Sequence, residues 1–212
     1  MTTTILEEKS NLQIRLVPID NLKPHEKGSP LCLEILRQEI LKDGVLKYPI
    51  IADEKTHVIL DGMHRWLAIK SLGYTLMPVM LVDAVHTKIH VGTRRIHRYS
   101  LNSDGGMTVE KVISAGLSGN LMKPRSTRHF FPFSKFQRID CPLHSLEKRA
   151  PTDVSSYVAR MTSRECNIAI KEWMEEIAEE LEFLTKRKEE VAKEMAEFLS
   201  RVKHLENGFF IS

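Results

Sequence analysis

The sequence predicts a compact α/β (α+β) domain with a mixed sheet and flanking helices, followed by a long C-terminal helix. Short apolar runs alternate with stretches of helical period from Ile14 to about residue 118. Beyond Arg160 the composition changes to Glu, Lys and Ala with regularly placed apolar residues. The 212 residues, 42% hydrophobic, suffice for one domain and an appendage. We expect the domain in residues 1–140, and a linker and coiled-coil helix in residues 141–212.

The first elements are a strand, a helix and a hairpin. Ile14–Ile19 alternates as a short strand and is followed by a turn-rich connection. Apolar residues recur at helical spacing from Leu31 to Asp43, and Gly44 suits the left-handed residue that ends a helix. Two apolar runs, 49–52 and 57–60, are separated by four polar residues and predict paired strands.

A glycine turn then leads into a second helix, His64–Leu72, which Gly73 stops. Two strands and a helix follow it, at 77–82, 88–91 and 108–115. In the last of these, Thr108 suits the N-cap and Gly116 lies near the predicted end. Residues 119–136 are rich in Pro, Arg, Ser and aromatics without periodicity, so we expect a functional or packing loop there.

The segment beyond Arg160 predicts a coiled-coil seam. Its apolar residues are separated by alternating steps of four and three, and only Lys188 breaks the series Ile170, Met174, Ile177, Leu181, Leu184, Lys188, Val191, Met195, Phe198, Val202 and Leu205. A helix from about Ser163 to Leu205 extends about 60 Å, longer than a small domain is wide. We expect it to pair with its copy in a homodimer; a hairpin folded back on the domain is the alternative.

Composition argues against several classes of protein. The 31 basic and 28 acidic residues leave a formal charge of +3, too small an excess for a nucleic-acid-binding face, and the basic cluster 93–98 suits a solvated strand edge. The three cysteines lack disulfide or metal spacing, and the histidines lack zinc spacing. Residues 1–10 do not resemble a signal peptide, and no apolar run reaches membrane length. We expect a cytoplasmic protein without membrane contact.

A candidate phosphate site lies at Asp61-Gly62-Met63-His64-Arg65. A strand that passes through a glycine turn into a helix leaves backbone N–H groups and the positive end of the helix dipole at one point. His64 and Arg65 can add side-chain donors, and Asp61 can cap the helix or position a metal. From the residues alone, an ordinary Asp-Gly turn explains the segment equally well.

The segment Ile59-Leu60-Asp61-Gly62-Met63-His64-Arg65-Trp66-Leu67-Ala68 resembles the nucleotide-binding box of the ParB/sulfiredoxin superfamily, usually Asp-Gly-His-His-Arg. Leu22-Lys23-Pro24-His25-Glu26, Leu117-Ser118-Gly119 and Lys123-Pro124-Arg125-Ser126-Thr127-Arg128-His129 resemble the archaeal free L-serine kinases within it. The resemblance covers Ile14 to Phe133. It implies Mg²⁺-dependent phosphoryl transfer from ATP or ADP to free L-serine or a similar small hydroxylated metabolite, on a route toward cysteine.

The resemblance also implies roles for individual residues. Glu26 and Asp61 would be catalytic, with Glu26 as the base that accepts the hydroxyl proton. Residues Asp61, Gly62, Met63, His64 and Arg65 would bind nucleotide, and Thr127, Arg128 and His129 would bind the acceptor amino acid. Met63 stands where the family has its first histidine, so we expect one contact fewer. Sulfiredoxins carry their catalytic cysteine at this position, so Met63 argues against thiolate chemistry.

Two other functions remain open from the sequence. A ParB-like nucleotide switch or DNA-partition factor would use the same box to clamp a dimer, but it should carry a helix-turn-helix after the box. The sequence offers only one short helix there, between Thr108 and Gly119. A degenerate scaffold that recruits partners through its coiled coil is the other possibility, since a fold does not fix a function.

Overall fold

The computed structural model describes residues 13–93 and 106–209. These belong to two compact units, Met1–Ala169 and Ile170–Ser212. The strands, in chain order, are β1 (Ile14–Pro18), β2 (Val45–Leu46), β3 (Ile50–Asp53), β4 (Ile59–Asp61), β5 (Leu76–Val82), β6 (His90–Thr93), β7 (Thr127–Phe130) and β8 (Cys141–Pro142). The helices are α1 (Pro30–Asp43), α2 (Met63–Ser71), α3 (Val109–Ser118) and α4 (Ser163–Phe209).

The central sheet has the strand order β1-β5-β3-β4. β3 runs parallel to β5, while β1 pairs with β5 and β4 pairs with β3 in antiparallel fashion. The sheet is therefore mixed, and the predicted α/β fold class is confirmed. Two small antiparallel pairs, β2 with β8 and β6 with β7, complete the strand pairing of the described residues.

Both faces of the central sheet are covered, because successive residues of a strand point to opposite sides. Ile50 and Ala52 of β3 join one core with Trp66, Leu67 and Ile69 of α2. Ile51 joins a second core, whose members include Val58, Met80, Val112 of α3 and Phe131. This double burial explains why β3 is apolar at consecutive positions rather than at alternate ones.

The structure corrects two details of the second half of the domain. The predicted loop 119–136 contains the strand β7, which pairs with β6 so that Val91 faces His129. α3 continues three residues past the predicted end at Ala115, so Gly116 lies inside the helix near its end, where an added Cβ would come within 2.7 Å of Val58. The residue that ends α3 in a left-handed conformation is Gly119, with φ +72°.

The first unit extends beyond the predicted boundary at residue 140. Leu143, Leu146 and Val154 are buried in the core that α2 forms with the sheet. The compact unit accordingly reaches Ala169, inside the first turns of α4. The predicted long helix is confirmed as α4, and no helix among the described residues is long and apolar enough to cross a membrane. Of the basic cluster, Thr93 ends β6, and residues 94–98 lie outside the described residues.

Candidate active site

The turn between β4 and α2 is closed by a glycine that no other residue can replace without strain. Gly62 has φ +94°, and a Cβ there would lie 2.5 Å from Cγ2 of Ile50. Gly62 is also the N-cap of α2, and no side chain caps this helix. The first backbone hydrogen bond of α2 runs from the Trp66 N–H to the Gly62 carbonyl at 3.0 Å. The preceding N–H groups of the first turn therefore remain available for an anion.

Asp61 lies at this helix end between two cations. Its Oδ2 accepts a hydrogen bond from the Arg65 guanidinium at 2.5 Å, and its Oδ1 lies 3.7 Å from Nζ of Lys135. Burial pushes the pKa of Asp61 upward, but the positive charges of Lys135 and Arg65 outweigh it and hold this pKa below its usual value. Asp61 is therefore a carboxylate at neutral pH.

The three residues predicted after Gly62 occupy different environments. Arg65 also donates to the Pro49 carbonyl at 2.5 Å, so its guanidinium holds the turn as well as Asp61. His64 accepts a hydrogen bond at Nε2 from the Ser29 N–H at 2.8 Å, which leaves Nδ1 as its donor. The Met63 side chain is buried in the core, so only its backbone N–H can reach a ligand.

Glu26 is buried against a turn of the 119–126 segment. The Ser126 N–H donates to Oε2 of Glu26 at 3.0 Å, and the N–H groups of Arg125 and Thr127 also point to this carboxylate. The turn has Pro124 followed by Arg125 at φ +55°, a conformation costly for a residue with a side chain. It brings three successive N–H groups to one carboxylate.

Burial raises the pKa of Glu26 to about 7, against the opposing effect of the Ser126 N–H and of the Arg125 charge. A carboxylate with this pKa is half ionised at neutral pH and is a stronger base than an exposed glutamate. Proton acceptors in catalysis work best when their pKa lies near the operating pH. The position and the basicity of Glu26 are thus compatible with a general base.

His25 connects the segment that holds Glu26 to the central sheet. Its Nδ1 lies 2.6 Å from the Ile59 carbonyl oxygen, and its Nε2 lies 2.8 Å from Oγ1 of Thr127. The His25 ring meets the His129 ring edge to face, with centroids 5.5 Å apart. His25 therefore contacts both Thr127 and His129, two of the three residues predicted to bind the acceptor.

The third, Arg128, lies on the other face of β7, because side chains alternate along a strand. Its guanidinium stacks 4.9 Å from the ring centroid of Phe130, two residues further on. The structure thus brings together Thr127 and His129 with His25, and separates Arg128 from them.

His129 is buried and uncharged at neutral pH. Burial, reinforced by the neighbouring His25, lowers the pKa of His129 to about 3. Among the residues that the structure describes, no hydrogen-bond partner is present for its buried Nε2. A buried polar atom in this state is ready for a ligand hydrogen bond.

Sequence reasoning missed three residues of this cluster: His25, Arg125 and Lys135. In the sequence, His25 is notable only as the neighbour of Glu26, and Arg125 only as part of a loop motif. Lys135 lies in the same aperiodic segment, yet only 8% of its surface is exposed. A lysine among Phe131, Phe133 and Phe136 was the available signal, because a long aliphatic stem packs well on aromatic rings.

One carboxylate at the N-terminal end of α2, that of Asp61, is suitable for binding Mg²⁺. Oδ1 of Asp61 has Lys135 at 3.7 Å, beyond hydrogen-bonding distance, and carboxylate oxygen is the ligand that Mg²⁺ prefers. No group of three or more His, Cys, Asp or Glu side chains in the described ranges could enclose a metal. Asp61 therefore fits an ion that phosphate oxygens and water help to hold.

Comparison with curated proteins identifies relatives over part of the chain. An ATP-dependent L-serine kinase of Staphylothermus marinus is 34% identical over 82 residues, which cover 37% of this chain and 32% of that protein. The ATP-dependent L-serine kinase SbnI of Staphylococcus aureus is 29% identical over 86 residues, covering 39% of this chain and 34% of that protein. A ParB-like protein of Sulfolobus acidocaldarius is 37% identical over 84 residues, covering 39% and 41%. The chain thus spans about a third of the length of the kinases it matches.

No family model matches the chain. Among solved structures, a free serine kinase in complex with AMP superposes with a TM-score of 0.55 at 17% identity, covering 64% of this chain and 94% of that one. At this identity the superposition establishes the fold alone. The sequence relatives and the shared fold together confirm the predicted resemblance to free L-serine kinases and ParB-like proteins.

Proposed function

We propose that this protein is a nucleotide-dependent phosphotransferase that transfers a phosphoryl group to the hydroxyl of free L-serine. The observation that carries the proposal is Glu26, a buried carboxylate with pKa about 7. Hydrogen bonds through Thr127 and His25 connect it to β4, the strand that leads into the N-terminal end of α2. The sequence relatives named as L-serine kinases support the same reaction.

On the nucleotide side, the first turn of α2 offers N–H groups to the phosphates. Arg65 holds Asp61 and the Pro49 carbonyl, and so keeps the turn in the shape that exposes those groups. Two further side-chain donors near this helix end are Nδ1 of His64, in the first turn of α2, and Nζ of Lys135, 3.7 Å from Oδ1 of Asp61. Magnesium on Asp61 would neutralise charge on the phosphate oxygens, while the chain itself aligns the phosphate.

On the acceptor side, Glu26 takes the proton of the L-serine hydroxyl as its oxygen attacks phosphorus. The bond between phosphorus and the nucleotide's bridging oxygen breaks, and O-phosphoserine and the shortened nucleotide result. Thr127 and His129 hold the amino acid from β7. Because positioning supplies most of the catalysis in phosphoryl transfer, the rigid anchoring of Glu26 by Ser126 is as important as its basicity.

The proposed reaction is tested by incubating the full chain with Mg²⁺, ATP or ADP and a panel of free amino acids, and detecting phosphorylated products by mass. We expect O-phosphoserine to dominate, with one nucleotide preferred as donor. Formation of no phosphorylated amino acid with either nucleotide would reject the kinase. Nucleotide binding without transfer would instead favour a ParB-like switch, although α3 is followed by the strand β7 and not by a second helix.

Replacement of His129 by Ala should raise the KM for L-serine at least tenfold while changing the KM for nucleotide little, because His129 shares its face of β7 with Thr127. Arg128→Ala, on the opposite face of β7, is the matched comparison, because the sequence resemblance implies acceptor binding for Arg128 as well as for His129. Initial rates with each substrate varied in turn measure the two constants. Equal increases in both KM values for His129→Ala would contradict the assignment.

We also propose that α4 forms a two-stranded coiled coil with its copy in a second subunit. Within the second unit, the seam residues Met174, Leu181 and Met195 are each more than half exposed. Burying an apolar stripe of this length is favourable, and Lys188 at a seam position would fix the register at some cost in stability.

Sedimentation equilibrium of the full chain tests the coiled coil with a pair of adjacent substitutions. Met195→Glu places a charge in the seam and should shift the protein to monomer, whereas Ala196→Glu places the same charge outside it and should leave the dimer intact. Lys188→Leu should tighten the dimer. A wild-type monomer that stays monomeric as Lys188→Leu would exclude the pairing.

A further inference from the structure

The hydrogen bonds of His25 determine which ring nitrogen carries its proton. Nδ1 lies 2.6 Å from the carbonyl oxygen of Ile59, which has no proton to give, so Nδ1 must be the donor. The residue is only 2% exposed, and burial lowers the pKa of His25 to about 4. The ring is therefore neutral at physiological pH, and Nε2 is an acceptor.

The position of the proton on His25 in turn determines whether the Thr127 hydroxyl donates or accepts hydrogen bonds. Oγ1 of Thr127 lies 2.8 Å from Nε2 of His25, and an accepting nitrogen requires the hydroxyl to donate its single proton. A hydroxyl whose proton is used in this way can only accept further hydrogen bonds. Thr127 thus offers lone pairs, and no proton, to any compound bound beside it.

Thr127 is a backbone neighbour of the carboxylate proposed as the base. The backbone next to Thr127 holds Glu26, since the Ser126 N–H donates to Oε2 of Glu26 at 3.0 Å. On the same face of β7, His129 presents a buried Nε2 for which the described residues supply no hydrogen bond. The Thr127 N–H also points to the Glu26 carboxylate, so a small molecule whose hydroxyl binds Glu26 would approach the residue that carries Oγ1.

We propose that His25 is a positioning residue which, by holding Thr127 as a hydrogen-bond acceptor, makes the acceptor site select compounds with a protonated amine next to the reacting hydroxyl. An ammonium group has three donors and no acceptor, so it complements Oγ1. A carboxylate oxygen in its place would face the lone pairs of Oγ1 and be disfavoured, and a hydroxyl would bind more weakly as an uncharged donor. The inference rests on the proposed function, because the compound in question is the one whose hydroxyl Glu26 deprotonates.

Turnover of L-serine and of L-glycerate, which carries a hydroxyl in place of the ammonium, tests the selection in the full chain. His25→Phe keeps a ring of similar size and loses both hydrogen bonds. We expect it to lower kcat/KM for L-serine about tenfold or more, as for loss of a charged hydrogen bond, and to change that for glycerate much less. Equal losses for the two substrates would indicate a merely structural role and overturn the proposal.

Two substitutions at Thr127 provide the matched control. Thr127→Val removes the hydroxyl at nearly constant volume and should reproduce the selective loss, whereas Thr127→Ser keeps the hydroxyl and should retain the preference for L-serine. In the double variant with His25→Phe, Thr127→Val should add little further loss, because both act through the same oxygen. Fully additive losses would contradict the coupling between them.

A measurement on the unmodified protein separates this inference from the proposed reaction. Nitrogen-15 NMR of His25 reports the protonated ring atom directly, and we expect a neutral ring with the proton on Nδ1 at pH 7. A cationic ring, or one with its proton on Nε2, overturns the inference whatever the activity. If L-serine is not phosphorylated, the kinase proposal fails, and binding of ethanolamine against ethylene glycol decides the selection: preference for the amine supports it, and equal affinity refutes it.

Discussion

Glu26→Gln should lose turnover by about a hundredfold or more while binding nucleotide as the wild type does. The amide keeps the size of the side chain but cannot take the hydroxyl proton. Steady-state rates and calorimetric titration with ADP measure the two properties. Glu34→Gln makes the same chemical change at an exposed position of α1 and should alter neither. Activity near the wild-type level in Glu26→Gln would assign the proton to another group.

The pH dependence of the wild-type reaction follows from the same residue. Burial raises the pKa of Glu26 to about 7, and only the ionised carboxylate accepts a proton. kcat/KM should therefore fall about tenfold per pH unit below this value and level off above it. A profile that stays flat between pH 5 and 8 would exclude Glu26 as the base.

Gly62→Ala should have the second largest effect, because it disturbs both the fold and the phosphate site. The φ of +94° disfavours any Cβ, and the new methyl group would lie 2.5 Å from Cγ2 of Ile50 and 3.0 Å from the Arg65 guanidinium. We expect a loss of stability on the order of 3 kcal/mol, from backbone strain and overpacking together. We also expect nucleotide affinity to fall more than tenfold, since the α2 N–H groups would move.

Gly44→Ala is the control for the backbone conformation alone. Gly44 has φ +69° at the end of α1, but a Cβ there meets nothing within 4 Å. It should cost only about 1 kcal/mol and leave nucleotide affinity unchanged. Thermal unfolding and ADP titration of both variants separate the contributions. If Gly62→Ala resembled Gly44→Ala in both measurements, the close approach at the turn would be unimportant.

Much of the fold follows from local sequence patterns. The hairpin, the glycine turn and α2 were predictable because apolar periodicity and turn residues act over a few positions. The strand β7 was missed because Arg128 and His129 are buried there, and buried polar residues break the usual strand alternation. The bounds of the first unit were also missed, since Leu143 and Leu146 join its core from a segment without secondary-structure periodicity.

The residues of the candidate site could likewise be predicted only in part from local sequence patterns. Glu26 and Asp61 were singled out through motif resemblance, but nothing local to the sequence indicates that Lys135 approaches Asp61 or that His25 bonds to Thr127. These pairs are separated by 74 and 102 positions. The first forms only when the segment after β7 approaches the end of β4, and the second only when β7 lies beside the connection after β1. Contacts of this kind depend on tertiary packing, which a single sequence does not specify by pattern.

Burial of the Glu26 carboxylate lowers the stability of the fold when this carboxylate is ionised, which is the form that catalysis requires. Its pKa rises from 4.5 in the unfolded chain to about 7 in the folded one, so the folded state holds this proton more tightly. The stabilisation is full below pH 4.5 and is lost as pH rises through 7, by about 3 kcal/mol. The protein is thus least stable, as far as this residue is concerned, in the ionisation state that reacts. Since His25 and His129 titrate in the opposite sense, the contribution of Glu26 appears in the difference between wild type and Glu26→Gln. As pH rises from 4.5 to 7, their unfolding free energies should shift apart by about 3 kcal/mol in favour of the variant, and above pH 7 the difference should stay constant.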